Sequence, residues 1–211
     1  MIRSYIEKIN IFIVERIRTS RRFIRKLCNQ KNIDNIIFYA YGKHDNINLD
    51  VDLLPHILNG NDVGVLSECG TPCIADPGSD IVKYAHKFNI EVIPIPGPSS
   101  IMLAIMGSGM NGQKFSFHGY LPIDSKERKR KIQELEKEAF KERSSQIFIE
   151  TPYRNQKIYE DIIKTCKKNT NLCIASDIHG SNQSFNTKTI KEWKNTKINI
   201  HKKPAVFIIG V

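Results

Sequence analysis

Two carboxylates and a pair of serines stand where this chain is richest in glycine and proline. Glu68 and Asp76 lie on a loop running from Ser67 through Gly70, Thr71 and Pro72 to Pro77 and Gly78. Carboxylates held on such a loop can bond a ligand's amine or its ribose hydroxyls. Gly70 and Gly78 permit close backbone approach or a positive φ, and Pro72 and Pro77 fix the path. A second loop, Pro96-Gly-Pro-Ser-Ser, places Ser99 and Ser100 at the start of a helical segment. Either serine can cap that helix, and free N–H groups there favour a carboxylate or phosphate. One such loop alone would read as a structural turn. Two of them, each between a short apolar run and a helix, make a binding site for a small polar ligand the better reading. Neither loop has G-x-G-x-x-G or G-x-x-x-x-G-K-[ST] spacing, so neither a dinucleotide fingerprint nor a P-loop is present. H-E-x-x-H and G-x-S-x-G are absent too. Cys69 and Cys73 have no second pair to complete a zinc site and read as buried small apolar residues, so no metal is expected.

The elements that must position these loops alternate. Strand patterns cover Ile9–Val14, Ile36–Ala40, Val63–Leu66 and Glu91–Ile95. Helical patterns cover residues 2–8, Thr19 or Ser20 to Leu27, 51–58, 80–88 and 99–106, the last closed by Gly107. That alternation predicts βαβ units and a mostly parallel sheet with flanking helices. Gly107-Ser-Gly-Met-Asn-Gly112 interrupts both periodicities and reads as an interdomain link. The expected domains are therefore 1–112 and 113–211. In the second, strands are expected at 114–118, 146–149, 172–175 and 205–209. Helices are expected from a capping box at Asp124-Ser-Lys-Glu127 to about Arg143, and from Asn155 to about Lys164. Ser181 to Lys203 is polar and Lys-rich and reads as a hairpin or loop.

The chain has 211 residues and a net charge of +10, from 32 Lys+Arg against 22 Asp+Glu. An anionic partner is the first implication, with nucleic acid ahead of others. The abundance of Lys, Asn and Ile also fits an AT-rich genome, which weakens the inference. Arg18, Arg21, Arg22, Arg25 and Lys26 make a basic helix face, with Phe23, Ile24 and Leu27 opposite. That helix, Arg128 to Lys131 and Lys202-Lys203 are the expected phosphate contacts, each with a solvated surface as the alternative. Five scattered cysteines fit a reducing cytoplasm and no disulfide framework. No apolar run is long enough to cross a membrane, and the N-terminus lacks a signal-peptide pattern.

Five segments together resemble one family. They are Glu15-Arg-Ile-Arg18-Thr-Ser, Ser67 to Gly78, Pro94-Ile-Pro-Gly-Pro-Ser-Ser, Phe115-Ser-Phe-His-Gly-Tyr-Leu-Pro122 and Phe148-Ile-Glu-Thr-Pro-Tyr-Arg154. The resemblance is to the tetrapyrrole methylase superfamily of S-adenosylmethionine-dependent methyltransferases. Within it the likeness is greatest to the branch that methylates a cytidine 2'-hydroxyl of 16S ribosomal RNA. It implies two α/β domains, a mostly parallel sheet followed by a mixed one. It also implies S-adenosyl-L-methionine bound in a cleft between them, ribosomal RNA or the small ribosomal subunit as partner, and a homodimer.

Carried over by position, Ser67, Glu68, Gly70, Thr71 and Pro72 would line the cofactor site, with Asp76, Pro77 and Gly78 holding the loop's shape. Ser99 and Ser100 would approach from the second loop, and Glu150, Thr151 and Arg154 from the second domain. Glu15 and Arg18 match the family's Glu-Asp-Thr-Arg segment on the substrate side, and His44 matches a family histidine. Glu15, Glu68 and His44 are candidate bases and Arg18 a candidate orienting cation. The chain departs from the pattern in places. Arg16 and Glu68 replace family aspartates, Ser176-Asp-Ile-His179 stands near the place of a Glu-Leu-Thr-Lys motif, and the pattern's first strand and Gly/Pro loop have no counterpart. A small-molecule methylase of the same fold and a non-catalytic RNA-binding relative remain as alternative readings.

Overall fold

A computed structural model describes residues 2–42 and 47–211. The chain divides into two compact units, Met1–Pro98 and Ser99–Val211. The first is built on three parallel strands, β1 (Ile11–Val14), β2 (Ile37–Ala40) and β3 (Val63–Leu66), in the order β2-β1-β3. β1 is central and buried at every position. Its alternating side chains feed both faces, as a period of two requires. Phe12 and Val14 pack with Ile6 of α1 (Ile2–Lys8) and with Ile24 of α2 (Ile17–Leu27). Ile13 points the other way, with Leu53 and Ile81. Between β2 and β3 the chain forms a π-helical turn, Leu49–Leu53, followed by α3 (Leu54–Leu58). Gly60 at φ 78° ends that run, as the Asn-Gly pair predicts. α4 (Ser79–Lys87) carries Ile81 into the core. Phe12 lies so close to Gly64 that a Cβ there would sit 2.7 Å from its ring.

The expected strand at Glu91–Ile95 does not form: the segment pairs with no strand, and Ile93 is exposed. Pro94 within it lacks a ladder donor and Pro96 follows directly, so its apolar pattern is not enough to build an edge. α2 also begins earlier than expected. Arg16 is its N-cap, without a side-chain cap bond, so neither Thr19 nor Ser20 starts the helix.

The second unit is a five-stranded mixed sheet in the order β4-β5-β8-β6-β7. Its strands are β4 (Phe115–Tyr120), β5 (Ser145–Glu150), β6 (Asn171–Ser176), β7 (Ser184–Thr189) and β8 (Ala205–Gly210). β4 and β5 run parallel, and the other pairs are antiparallel. Phe148, Leu172, Ile174, Phe207 and Ile209 face α6 (Ser125–Glu142), α7 (Asn155–Thr165) and α8 (Ile190–Trp193). Ile147, Cys173, Ala175, Val206 and Ile208 face α5 (Ser100–Ser108), which buries Ile101, Ala104 and Ile105 against them. α5 runs past Gly107 and ends at Gly109, at φ 70°. The polar stretch after Ser181 supplies β7 as a hairpin partner of β6, then α8 with a capping box between Thr189 and Glu192. The folds of both units match the expected α/β class.

Candidate functional site

In a parallel sheet the carboxyl ends of the strands lie together, and residues just beyond them converge. Glu15 follows β1 and Ser67-Glu68 follow β3. A Glu15 Oε1 accepts a hydrogen bond from the backbone N–H of Glu68 at 2.9 Å. The hydroxyl of Thr19, on the first turn of α2, lies between the Arg16 carbonyl at 3.0 Å and the Glu68 carboxylate. Two adjacent strand ends and the following helix are thus tied through one glutamate. Thr19 was not expected at the site. Its position four residues after Glu15, across the start of a helix, is the signal that could have found it.

Asp76 lies on the same loop, half-buried. Burial, and then the charge of Glu15, push its carboxyl above the usual range. Carboxylates gathered at these strand ends can meet a cationic ligand. Backbone strain marks the same loop. Cys73 and Ala75 adopt φ 69° and 62°, a left-handed region costly for residues with a Cβ. Gly78 reaches φ 132°, and a Cβ on it would sit 2.9 Å from Cys73 Sγ. Gly70 has φ 83°. Ser67, Thr71, Pro72 and Pro77 are half-buried along the loop, and Glu68 and Gly70 are exposed. Cys69 and Cys73 are exposed as well, a correction to their expected burial: both belong to the loop rather than to a core.

Arg18 is exposed on α2. His44 lies outside the described residues. Ser99 occupies the N-cap of α5 in extended conformation, but its side chain makes no cap bond; its carbonyl accepts from Leu103 N–H at 2.9 Å.

In the second unit, Glu150, Thr151 and Arg154 come together at the end of β5 and the start of α7. The Glu150 side chain is fully buried. Its Oε1 accepts from Thr151 N–H at 2.7 Å, and its Oε2 lies 3.0 Å from Arg154 Nη2 as an ion pair without hydrogen-bond geometry. Arg154 also donates to the Pro122 carbonyl at 3.2 Å. Thr151 is exposed. Beside them Asn155, wholly buried, donates to the carbonyls of Ile200 and Lys203, fixing the approach to β8.

The expected phosphate contact at Arg128 is corrected. Its guanidinium is buried, with two N–H groups on Asp161 Oδ2 at 2.8 and 2.6 Å and a third on the Pro122 and Ile123 carbonyls. It closes the gap between α6 and α7. Nothing in the sequence around it distinguishes it from its solvated neighbours Lys129 and Arg130. Among the described residues no group of His, Cys, Asp or Glu is arranged to hold a metal ion, and no helix is long and apolar enough to cross a membrane.

The family model described as Tetrapyrrole (Corrin/Porphyrin) Methylases matches residues 6–193. Among characterised proteins, the Ribosomal RNA small subunit methyltransferase I of Vibrio cholerae is 30% identical over 157 residues, 74% of this chain and 53% of that protein. The protein of the same name from Pasteurella multocida is 31% identical over 175 residues, 82% of this chain and 61% of its own. That from Buchnera aphidicola subsp. Schizaphis graminum is 32% identical over 152 residues, 72% and 52%. The chain thus spans about half the length of these relatives. Among solved structures, the methyltransferase CobJ shares the fold with a TM-score of 0.56 at 12% identity, over 95% of this chain and 93% of CobJ.

Proposed function

The chain belongs to the tetrapyrrole methylase family, and we propose that it is a methyltransferase that binds S-adenosylmethionine and methylates a ribose 2'-hydroxyl of 16S ribosomal RNA. The observation that carries this reading is the carboxylate cluster at the carboxyl ends of β1 and β3, where Glu15 holds the Glu68 backbone and Asp76 is driven toward its neutral form. S-adenosylmethionine supplies an electrophilic methyl on a sulfonium, together with an ammonium and two ribose hydroxyls. Cation and hydroxyls alike suit carboxylate acceptors, so the residues present fit the group.

Glu68 is proposed to accept from the ligand, with Ser67, Gly70, Thr71 and Pro72 forming the wall around it. Asp76, Pro77 and Gly78 hold the loop's path. Ser99, Ser100, Glu150, Thr151 and Arg154 are further proposed contacts, supported by the sequence pattern. The transfer is an in-line displacement, so the chain's task is to orient the acceptor and exclude water. A ribose hydroxyl is a weak nucleophile; Glu15 or His44 would take its proton and Arg18 would orient it. The names of the relatives and the charge of +10 favour RNA as the acceptor over a small neutral molecule. We place the protein in the cytoplasm and expect it to act as a homodimer.

Isothermal calorimetry with S-adenosylmethionine tests the cofactor reading: saturable heat is expected, and no heat at millimolar ligand would overturn it in favour of a non-catalytic RNA-binding relative. Transfer of labelled methyl to undermethylated small ribosomal subunits tests the acceptor. Label in a ribose is expected. Cofactor binding without such label would favour a small-molecule methylase.

A further inference from the structure

The outward face of α2 is a continuous positive surface. Arg18, Arg22, Arg25 and Lys26 are exposed, recur at helical spacing on one side, and form no ion pair among the described residues. The helix has no acidic residue. Arg21 is set apart: it is half-buried, pairs with Asp34 at 2.6 Å, and lies over the Phe38 ring. Phe23 flanks the positive strip and is 46% exposed. The core side of the helix is satisfied by Ser20 and Ile24, both buried, so Phe23 is not needed to anchor it.

We propose that this face of α2 is an RNA-docking strip, with Arg18, Arg22, Arg25 and Lys26 holding successive phosphates and Phe23 stacking on one base. The proposal rests on the reading that the acceptor is RNA. Four exposed cations beside a single ring suit a single strand, whose bases each offer a flat face and whose backbone is a line of charge. An anionic membrane would instead need a broad apolar stripe, and the apolar side of α2 is spent on the core. The strip also has a direction. Its first turn carries Thr19, whose hydroxyl meets the Glu68 carboxylate. A strand lying along α2 therefore runs to the candidate methyl-transfer site, and the residues beyond the first turn hold the nucleotides flanking the target.

Fluorescence anisotropy with a labelled single-stranded RNA, without cofactor and over a range of salt concentrations, tests the strip. The triple variant R22Q/R25Q/K26Q is expected to reduce the slope of log affinity against log salt by about 2, near 0.7 for each phosphate lost. F23L is expected to weaken binding roughly five- to hundredfold with little change in slope, and F23Y to retain it. Thermal melting and S-adenosylmethionine titration of the same variants separate folding and cofactor binding from the RNA readout. Unchanged affinity and slope in the triple variant would overturn the proposal. So would an F23L loss that is equally large for heparin, a polyanion without bases, or tighter binding to phosphatidylserine vesicles than to RNA.

Discussion

Glu68 serves the backbone and the candidate site at once. Its N–H is held by Glu15, while its own carboxylate meets Thr19 and faces solvent. Removing the charge but keeping the shape should therefore spare the loop and weaken the ligand. We expect Glu68→Gln to lower S-adenosylmethionine affinity about ten- to hundredfold, the scale of a charge-assisted hydrogen bond, with Tm little changed; calorimetry and melting on the same sample check both. Asp76 makes the opposite trade. Its carboxyl is raised by burial first and by the Glu15 charge second. A raised acid is at ease in the folded chain below its unfolded pKa and loses that advantage as pH rises through the folded value. Asp76→Asn is thus expected to raise Tm at neutral pH, with the gain vanishing below the ordinary carboxylate range. A gain that persisted at low pH would point to packing instead.

At the scale of the element, the loop between β3 and α4 holds its shape through backbone conformations that few residues tolerate. Gly78→Ala meets both a forbidden φ and the Cys73 sulfur. It should destabilise by about 1–3 kcal/mol and weaken cofactor binding as the loop shifts. Adding Cys73→Ala removes the clash but not the φ cost, so denaturant melts should show only partial recovery. The α6–α7 junction depends on Arg128 and Asp161, with side chains 1% and 9% exposed. Asp161→Ala strands a buried guanidinium and should cost about 3–5 kcal/mol. Arg128→Met, similar in volume but needing no partner, leaves the buried carboxylate only Lys129, at 3.9 Å, as a cation and should cost less. The double variant D161L/R128M should recover much of the loss.

At the scale of the whole molecule, α5 decides where the units divide. The glycines from 107 to 112 mark a break in periodicity, but Ile101, Ala104 and Ile105 are buried against Val206, Ile208 and Ala175. This helix, which runs into the glycine stretch at Gly107, packs on β6, β7 and β8 of the second sheet. A fragment of residues 99–211 is therefore expected to unfold cooperatively in urea. A fragment of residues 113–211 should expose Ile147, Val206 and Ile208, bind an apolar dye and aggregate. Equal behaviour of the two fragments would place the boundary after the glycines instead.

The sequence by itself determined the strands and helices whose periodicity is strong and the α/β class, and it singled out the glycine- and proline-rich loop from Ser67 to Gly78 that we propose as the ligand site. These depend on local rules: alternation, capping, and glycine where φ turns positive. It also carried the family pattern, because that pattern is written in short contiguous motifs. Only the tertiary structure decided that Glu15 reaches Glu68, fifty-three positions away, that Arg128 faces inward while Arg130 faces solvent, and that Glu91–Ile95 stays unpaired. Charge and hydropathy along a chain do not say which neighbour a side chain will meet. Burial and pairing are properties of the packed layers, and a long-range hydrogen bond exists only once two strand ends have been brought side by side.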